Sequence, residues 1–178
     1  MKKTKFVALL IISFLSINAS ANERLYTIEL IVFAQDMPNS EVFDQVESKI
    51  IWPKRVAEIS DYPIAKAKNI SLLSSYKKIA RSSQYQPLMH VAWTQSVKSN
   101  RFSKAVRITN SEGTIDGYFR MQRGHYVHMS ADIEYSPGDY EESVIYRLNE
   151  KRRFKLNETH YLDHPKFGIL ARISPVSK

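Results

Sequence analysis

The chain contains no cysteine. That excludes a disulfide framework, a thiol nucleophile and a thiolate metal centre. It also excludes a lipid anchor on a cysteine behind the N-terminal apolar run. Glycine is scarce, five in 178 residues, and no glycine-rich loop is spaced to cradle a phosphate. No Gly-x-Ser-x-Gly elbow occurs, and no Ser-x-x-Lys stands beside the partner motifs that would make it a catalytic signature. No apolar run reaches the roughly 20 residues that a spanning helix needs. What these absences leave is a binding or structural protein more readily than a nucleophilic or nucleotide-dependent enzyme.

The N-terminus carries an export signal. Lys2, Lys3 and Lys5 form a basic start, Phe6 to Ile17 an apolar run of 12 residues, and Ala19-Ser20-Ala21 a small-residue cleavage site. Residues 1–21 are therefore expected to be cleaved, the alternative being an uncleaved anchor. Residues 22–178 then form one domain, long enough to bury a core without covalent staples. The lysine-rich start and Ala-x-Ala ending are of bacterial type, so the expected location is the periplasm, with no membrane span in the mature chain. The full chain is formally +8. Loss of the three leader lysines leaves 23 cations against 18 acids, or +5. Export argues against a nucleic-acid partner. An anionic wall polymer or an acidic protein face suits the excess, unless it serves only solubility.

Hydrophobic periodicity sets out the elements in order. Leu25 to Phe33 reads as a strand with apolar residues on both faces, hence a central strand covered on both sides. Glu29 lies within it, and a buried carboxylate needs a partner such as Arg; partial solvation is the other reading. Residues 36–69 form a long connection broken by Pro38, Pro53 and Pro63, with Ile50-Ile-Trp-Pro53 expected to pin it to the domain. Ser71 to Ser82 reads as a helix capped by Asn69 or Ser71. Its apolar stripe is Leu72, Leu73, Tyr76, Ile79 and Ala80. Strands follow at 85–97, 105–108, 113–123, 125–135, 143–156 and 167–173, with a turn at Asn110 to Gly113. The fold expected is α+β: a mainly antiparallel sheet of about six strands with one main helix on a face. A ferredoxin-like core with an extra hairpin satisfies this order.

The densest chemistry falls in Glu150 to Gly168, with three consecutive cations and then Glu158, His160, Tyr161, Asp163 and His164. Zinc ligation by His160 and His164 needs a helix at i, i+4, and Pro165 pushes His164 out of helical conformation. No metal and no cofactor is expected. A muramidase-like acid pair such as Glu158 and Asp163 cannot be placed in space from sequence alone, and no enzyme activity is expected.

Together these segments resemble the CsiV family of periplasmic peptidoglycan-binding proteins. The likeness rests on Tyr26-Thr-Ile-Glu-Leu-Ile-Val-Phe33, Trp52-Pro53, Leu73 to Tyr76, His90-Val-Ala-Trp93-Thr-Gln95 and Gly124-His-Tyr-Val-His128. It continues through Arg152-Arg153, Glu158-Thr-His160-Tyr161-Leu-Asp163-His164-Pro165, Phe167-Gly168 and Pro175. The resemblance implies a non-catalytic factor that binds peptidoglycan and supports cell-wall assembly and cell shape. It further implies partners among the periplasmic regulators of the bifunctional penicillin-binding synthases. A protein-protein adaptor with incidental wall binding is the alternative, and a wall-modifying hydrolase a more distant one. Peptidoglycan offers sugar rings for stacking and carboxylates for Arg. The candidate ligand-binding residues are therefore Arg152, Arg153, Glu158, His160, Tyr161, His164 and Trp93. Arg152 and Arg153 alternate on a strand, so only one can face a given surface. The whole block is also readable as a structural corner.

Overall fold

The computed structural model describes residues 23–35, 50–138 and 144–176. The leader and residues 36–49 of the long connection lie outside them. Strand β1 (Arg24–Gln35) is the centre of the molecule, and every residue from Tyr26 to Phe33 is buried. Such a strand needs cover on both faces, and it has two different covers. It pairs antiparallel on one side with β3 (Tyr85–Val97) and on the other with β9 (Phe167–Pro175), which pairs in turn with β8 (Thr159–His164). A second sheet runs in the order β2 (Val56–Ala57), β4 (Ala105–Arg107), β5 (Ile115–Arg123), β6 (Val127–Tyr135), β7 (Tyr146–Phe154). All its pairings are antiparallel except the two-residue β2–β4 pair.

Tyr26, Ile28, Leu30 and Val32 of β1 join one cluster with Trp93, Phe119, Met121, Met129, Ile133, Ile169 and Ile173. This is the core between the two sheets. Each large side chain buried there contributes about 1.5–3 kcal/mol. Ile31 and Phe33, on the other face of β1, pack with Leu72, Tyr76 and Ile79 of helix α1 (Leu73–Arg81) and its N-terminal edge. The layers are thus helix, four-stranded sheet, five-stranded sheet. Leu73 and Ala80 of the expected stripe are exposed, and the inward set is Leu72, Tyr76 and Ile79.

The class is α+β, largely sheet, but among the described residues nine strands in two sheets replace the expected six or so in one. The ferredoxin-like arrangement does not appear in the sheet orders. β1 and β3 are antiparallel neighbours, so the strand-helix-strand opening is not a parallel crossover.

Helix α1 starts on a carboxylate from outside itself. Glu29 is 1% exposed. It accepts the Ser71 N–H (2.7 Å), the Leu72 N–H (2.9 Å) and His90 Nε2–H (2.9 Å). The His90 ring stacks on Tyr76, 5.1 Å between centroids. The expected cap, Asn69 or Ser71, supplies no side-chain bond. The partner that burial of Glu29 demands is the helix terminus and a histidine, not an arginine. Burial alone would raise the Glu29 carboxyl, but the bonds from His90, Ser71 and Leu72 outweigh it and hold the carboxyl below its ordinary value.

Candidate functional site

The Glu150 to Gly168 stretch leaves one sheet and enters the other. β7 ends the five-stranded sheet, a turn with Asn157 at φ +63° reverses the chain, and β8 edges the four-stranded sheet. Two of the expected site residues belong to this turn. Glu158 pairs with Lys155 at 3.5 Å in solvent. The Lys155 N–H donates to His160 Nε2 (3.2 Å), and the His160 ring stacks on Phe154 at 3.8 Å. Both contacts hold the turn.

Further along β8, the Tyr161 hydroxyl donates to Asp163 Oδ1 (2.6 Å) and lies 3.1 Å from Gln35 Oε1. Burial and the bond to Asp163 push the Tyr161 hydroxyl up to about 12. Its ring stacks on Phe33 (6.2 Å, 13°) across Gly168. A Cβ at Gly168 would lie 2.6 Å from the Tyr161 ring and 2.7 Å from that of Phe33. The glycine is what lets the two rings meet over β9. Arg152 closes the edge between the sheets. Its Nη2 donates to Tyr161 O (2.6 Å) and its Nε stands 2.6 Å from Glu150 Oε1. His164 packs against Phe167 and Tyr146, and burial pushes its pKa down against the pull of Asp163. A cleft of about 460 Å³ opens here, lined by Arg147, Glu150, Arg152, Tyr161, Asp163 and His164. Its polar groups are largely spent on each other. Arg147 is itself bidentate to Asp132 at 2.7 and 2.7 Å.

The expected residues therefore separate. Arg152, Tyr161 and His164 share the cleft, while Glu158 and His160 belong to the turn. Trp93 is fully buried and offers no ring face to a ligand. It meets Phe119 edge-on at 6.1 Å. Arg153 points to the outer face of the five-stranded sheet, as the alternation with Arg152 requires.

Besides Arg153, that outer face holds residues that sequence reading missed. Its rows follow from the register: Tyr118, Asp132 and Asn149; then Arg120, Ser130 and Lys151; then Gln122, His128 and Arg153. At one end the charges are closed internally. Arg107 binds Asp116 at 2.8 and 3.2 Å, and Arg147 binds Asp132. Trp52 packs on Tyr118 (6.0 Å) with Arg107 over its ring (5.6 Å), so the long connection is pinned there, although Ile51 is exposed. At the other end stand cations over rings. Arg120 lies 4.4 Å and Lys151 5.4 Å from the Phe102 centroid, and Arg153 lies 3.1 Å from that of Tyr126. Beside them a groove of about 580 Å³ is lined by Lys54, Arg55, Phe102, Ser103, Lys104 and Arg120. The one sequence signal for this surface is that Lys151 and Arg153, two apart on a strand, share a face.

Among the described residues no three histidine or acidic side chains converge on a metal-sized site, and no helix is long and apolar enough to cross a membrane. A family model described as "Peptidoglycan-binding protein, CsiV" matches residues 48–176. No curated protein and no solved structure matches the chain.

Proposed function

This chain belongs to the CsiV family of peptidoglycan-binding proteins, and on that premise we propose that it is a non-catalytic periplasmic factor that binds peptidoglycan. In this reading it supports cell-wall assembly and cell shape alongside regulators of the bifunctional penicillin-binding synthases. The N-terminal leader supports export, and residues 22–178 act as a single binding domain. The observation that carries the reading is the surface of cations held over rings on the outer sheet face. Peptidoglycan supplies the carboxylates such a surface attracts. The two acids considered as a hydrolytic pair have other work. Glu158 pairs with Lys155 and Asp163 accepts the Tyr161 hydroxyl.

Co-sedimentation with purified sacculi tests the reading. The mature protein is expected to pellet with sacculi at 0.1 M salt. The bound fraction should fall towards 1 M, as the screening length shrinks from about 10 to about 3 Å. Binding that ignores salt would point to buried hydrogen bonds and stacking instead. No pelleting at any salt would leave the adaptor reading, and released muropeptides would make the protein a hydrolase.

A further inference from the structure

We propose that the basic end of the five-stranded sheet's outer face holds the free carboxylates of the peptide stems of peptidoglycan, not its sugars. This rests on the wall-binding reading above and names the part of the polymer that is read. Three observations carry it.

The first is an imbalance of charge along one sheet face. Arg107 and Arg147 are each closed by an aspartate. Arg120, Lys151 and Arg153, further along the same strands, meet no carboxylate among the described residues, nor do Lys54, Arg55 and Lys104 beside them. Arg120 and Lys151 gather about one ring, that of Phe102, with Arg153 further along the same face. Like charges collected on one face repel, and an external anion relieves that repulsion.

The second is preorganisation. Phe102 fixes Arg120 and Lys151, and Tyr126 fixes Arg153. Cations held over rings lose one side of their hydration and much of their rotamer freedom before any ligand arrives. Arg120 Nε is shielded from solvent without a hydrogen-bond partner, so the guanidinium is held by the ring and not by an acid.

The third decides between sugar and acid. A glycan would need open aromatic faces to stack on. Here cations already lie over the Phe102 and Tyr126 rings. Beside those rings Lys151 and Arg153 are exposed and Arg120 is half-buried. Arg120 and Lys151 stand two strands apart, about 10 Å, with Ser130 between them. Carboxylates on a flexible stem can meet both.

The test uses sacculi whose carboxyls have been amidated by carbodiimide coupling to a neutral amine, beside untreated sacculi. Untreated sacculi should bind, and amidated sacculi should bind at least about tenfold more weakly. The double variant Lys151→Gln with Arg153→Gln removes two exposed cations. It should melt like the parent and lose about tenfold or more in binding to untreated sacculi. Lys77→Gln with Lys78→Gln on α1 removes equal charge elsewhere and should bind like the parent. Equal binding to amidated and untreated sacculi would overturn the inference while wall binding stands. Failure of both sacculi to bind would overturn it together with the reading it rests on. Phosphatidylglycerol vesicles provide a third arm. If the Lys151/Arg153 variant lost vesicle binding but kept sacculus binding, the surface would be a lipid-facing one and the inference would be wrong.

Discussion

Glu29→Ala is expected to cost about 3–5 kcal/mol of folding stability, read as a shift of the urea midpoint. The figure is that for stranding buried partners of a removed charge. The Glu29 side chain is 2% exposed, and three donors converge on it. Without it the Ser71 and Leu72 N–H groups and His90 lose their acceptor, the Leu72 N–H in a buried position and the other two at its partly solvated edge. Helix α1 has nine residues, too few to persist alone in water. It stands on this cap and on the contacts of Leu72, Tyr76 and Ile79 with Ile31 and Phe33. Its loss would uncover one face of the central strand. The same group sets an acid limb. A carboxyl held below its ordinary 4.5 contributes stability that is complete above that value and is lost as pH falls towards its lowered native pKa. The stability difference between parent and Glu29→Gln should therefore be constant near neutrality and shrink below about pH 4.5. A difference that grew on acidification would contradict the assignment.

Gly117→Ala is expected to cost about 3 kcal/mol or more and to lower the melting temperature by roughly 10 °C, in the range of steric strain added to an unfavourable backbone conformation. A Cβ there would stand 2.3 Å from Asp132 O and 2.5 Å from Ile133 Cα, with Gly117 at φ +156°. These are backbone atoms of the paired strand, and they cannot yield without opening the β5–β6 ladder. The ladder also sets the register of Arg120 against Ser130, so wall binding should fall with stability. Gly168→Ala meets the rings of Tyr161 and Phe33 instead. These are side-chain and not backbone atoms, and Tyr161 is 42% exposed, so that variant should lose less. A melting temperature for Gly117→Ala within a degree of the parent would show that the close approach is not real.

The sequence exposed the centre of this fold better than its plan. A strand apolar on both faces announces cover on both sides, and Tyr26 to Phe33 has it. β3 was legible because proline is tolerated at a strand start and Met89, Val91 and Trp93 alternate along one face of Tyr85 to Val97. Alternation, however, says which residues share a face and not which sheet a strand joins. The division into two sheets was therefore hidden. β8 was missed because only Leu162 of its six residues is buried. The identity of the helix cap was hidden too, since Glu29 and Ser71 lie 42 residues apart and only the packing of α1 on β1 brings them together. At the surface, density of polar residues between Glu150 and Gly168 proved to be several local devices: a turn lock, a ring pair over a glycine, and an arginine bridging two sheets. The opposed directions of Arg152 and Arg153 followed from strand geometry alone. Phe102, Arg120 and Lys151 come from three separate segments, and the register of β5 to β7 with the bridge from Phe102 to Gln122 makes them neighbours.

Peptidoglycan binding on the outer face of the five-stranded sheet is open to a residue-by-residue test. The most direct measurement is a titration of ¹⁵N-labelled residues 22–178 with a soluble disaccharide-peptide fragment, following each backbone amide. Saturable shifts are expected, largest around Phe102, Arg120, Ser130, Lys151 and Arg153, with Tyr161 and Asp163 nearly still. Shifts confined to the Tyr161–Asp163 cleft, or no saturable shift at all, would contradict binding on that face.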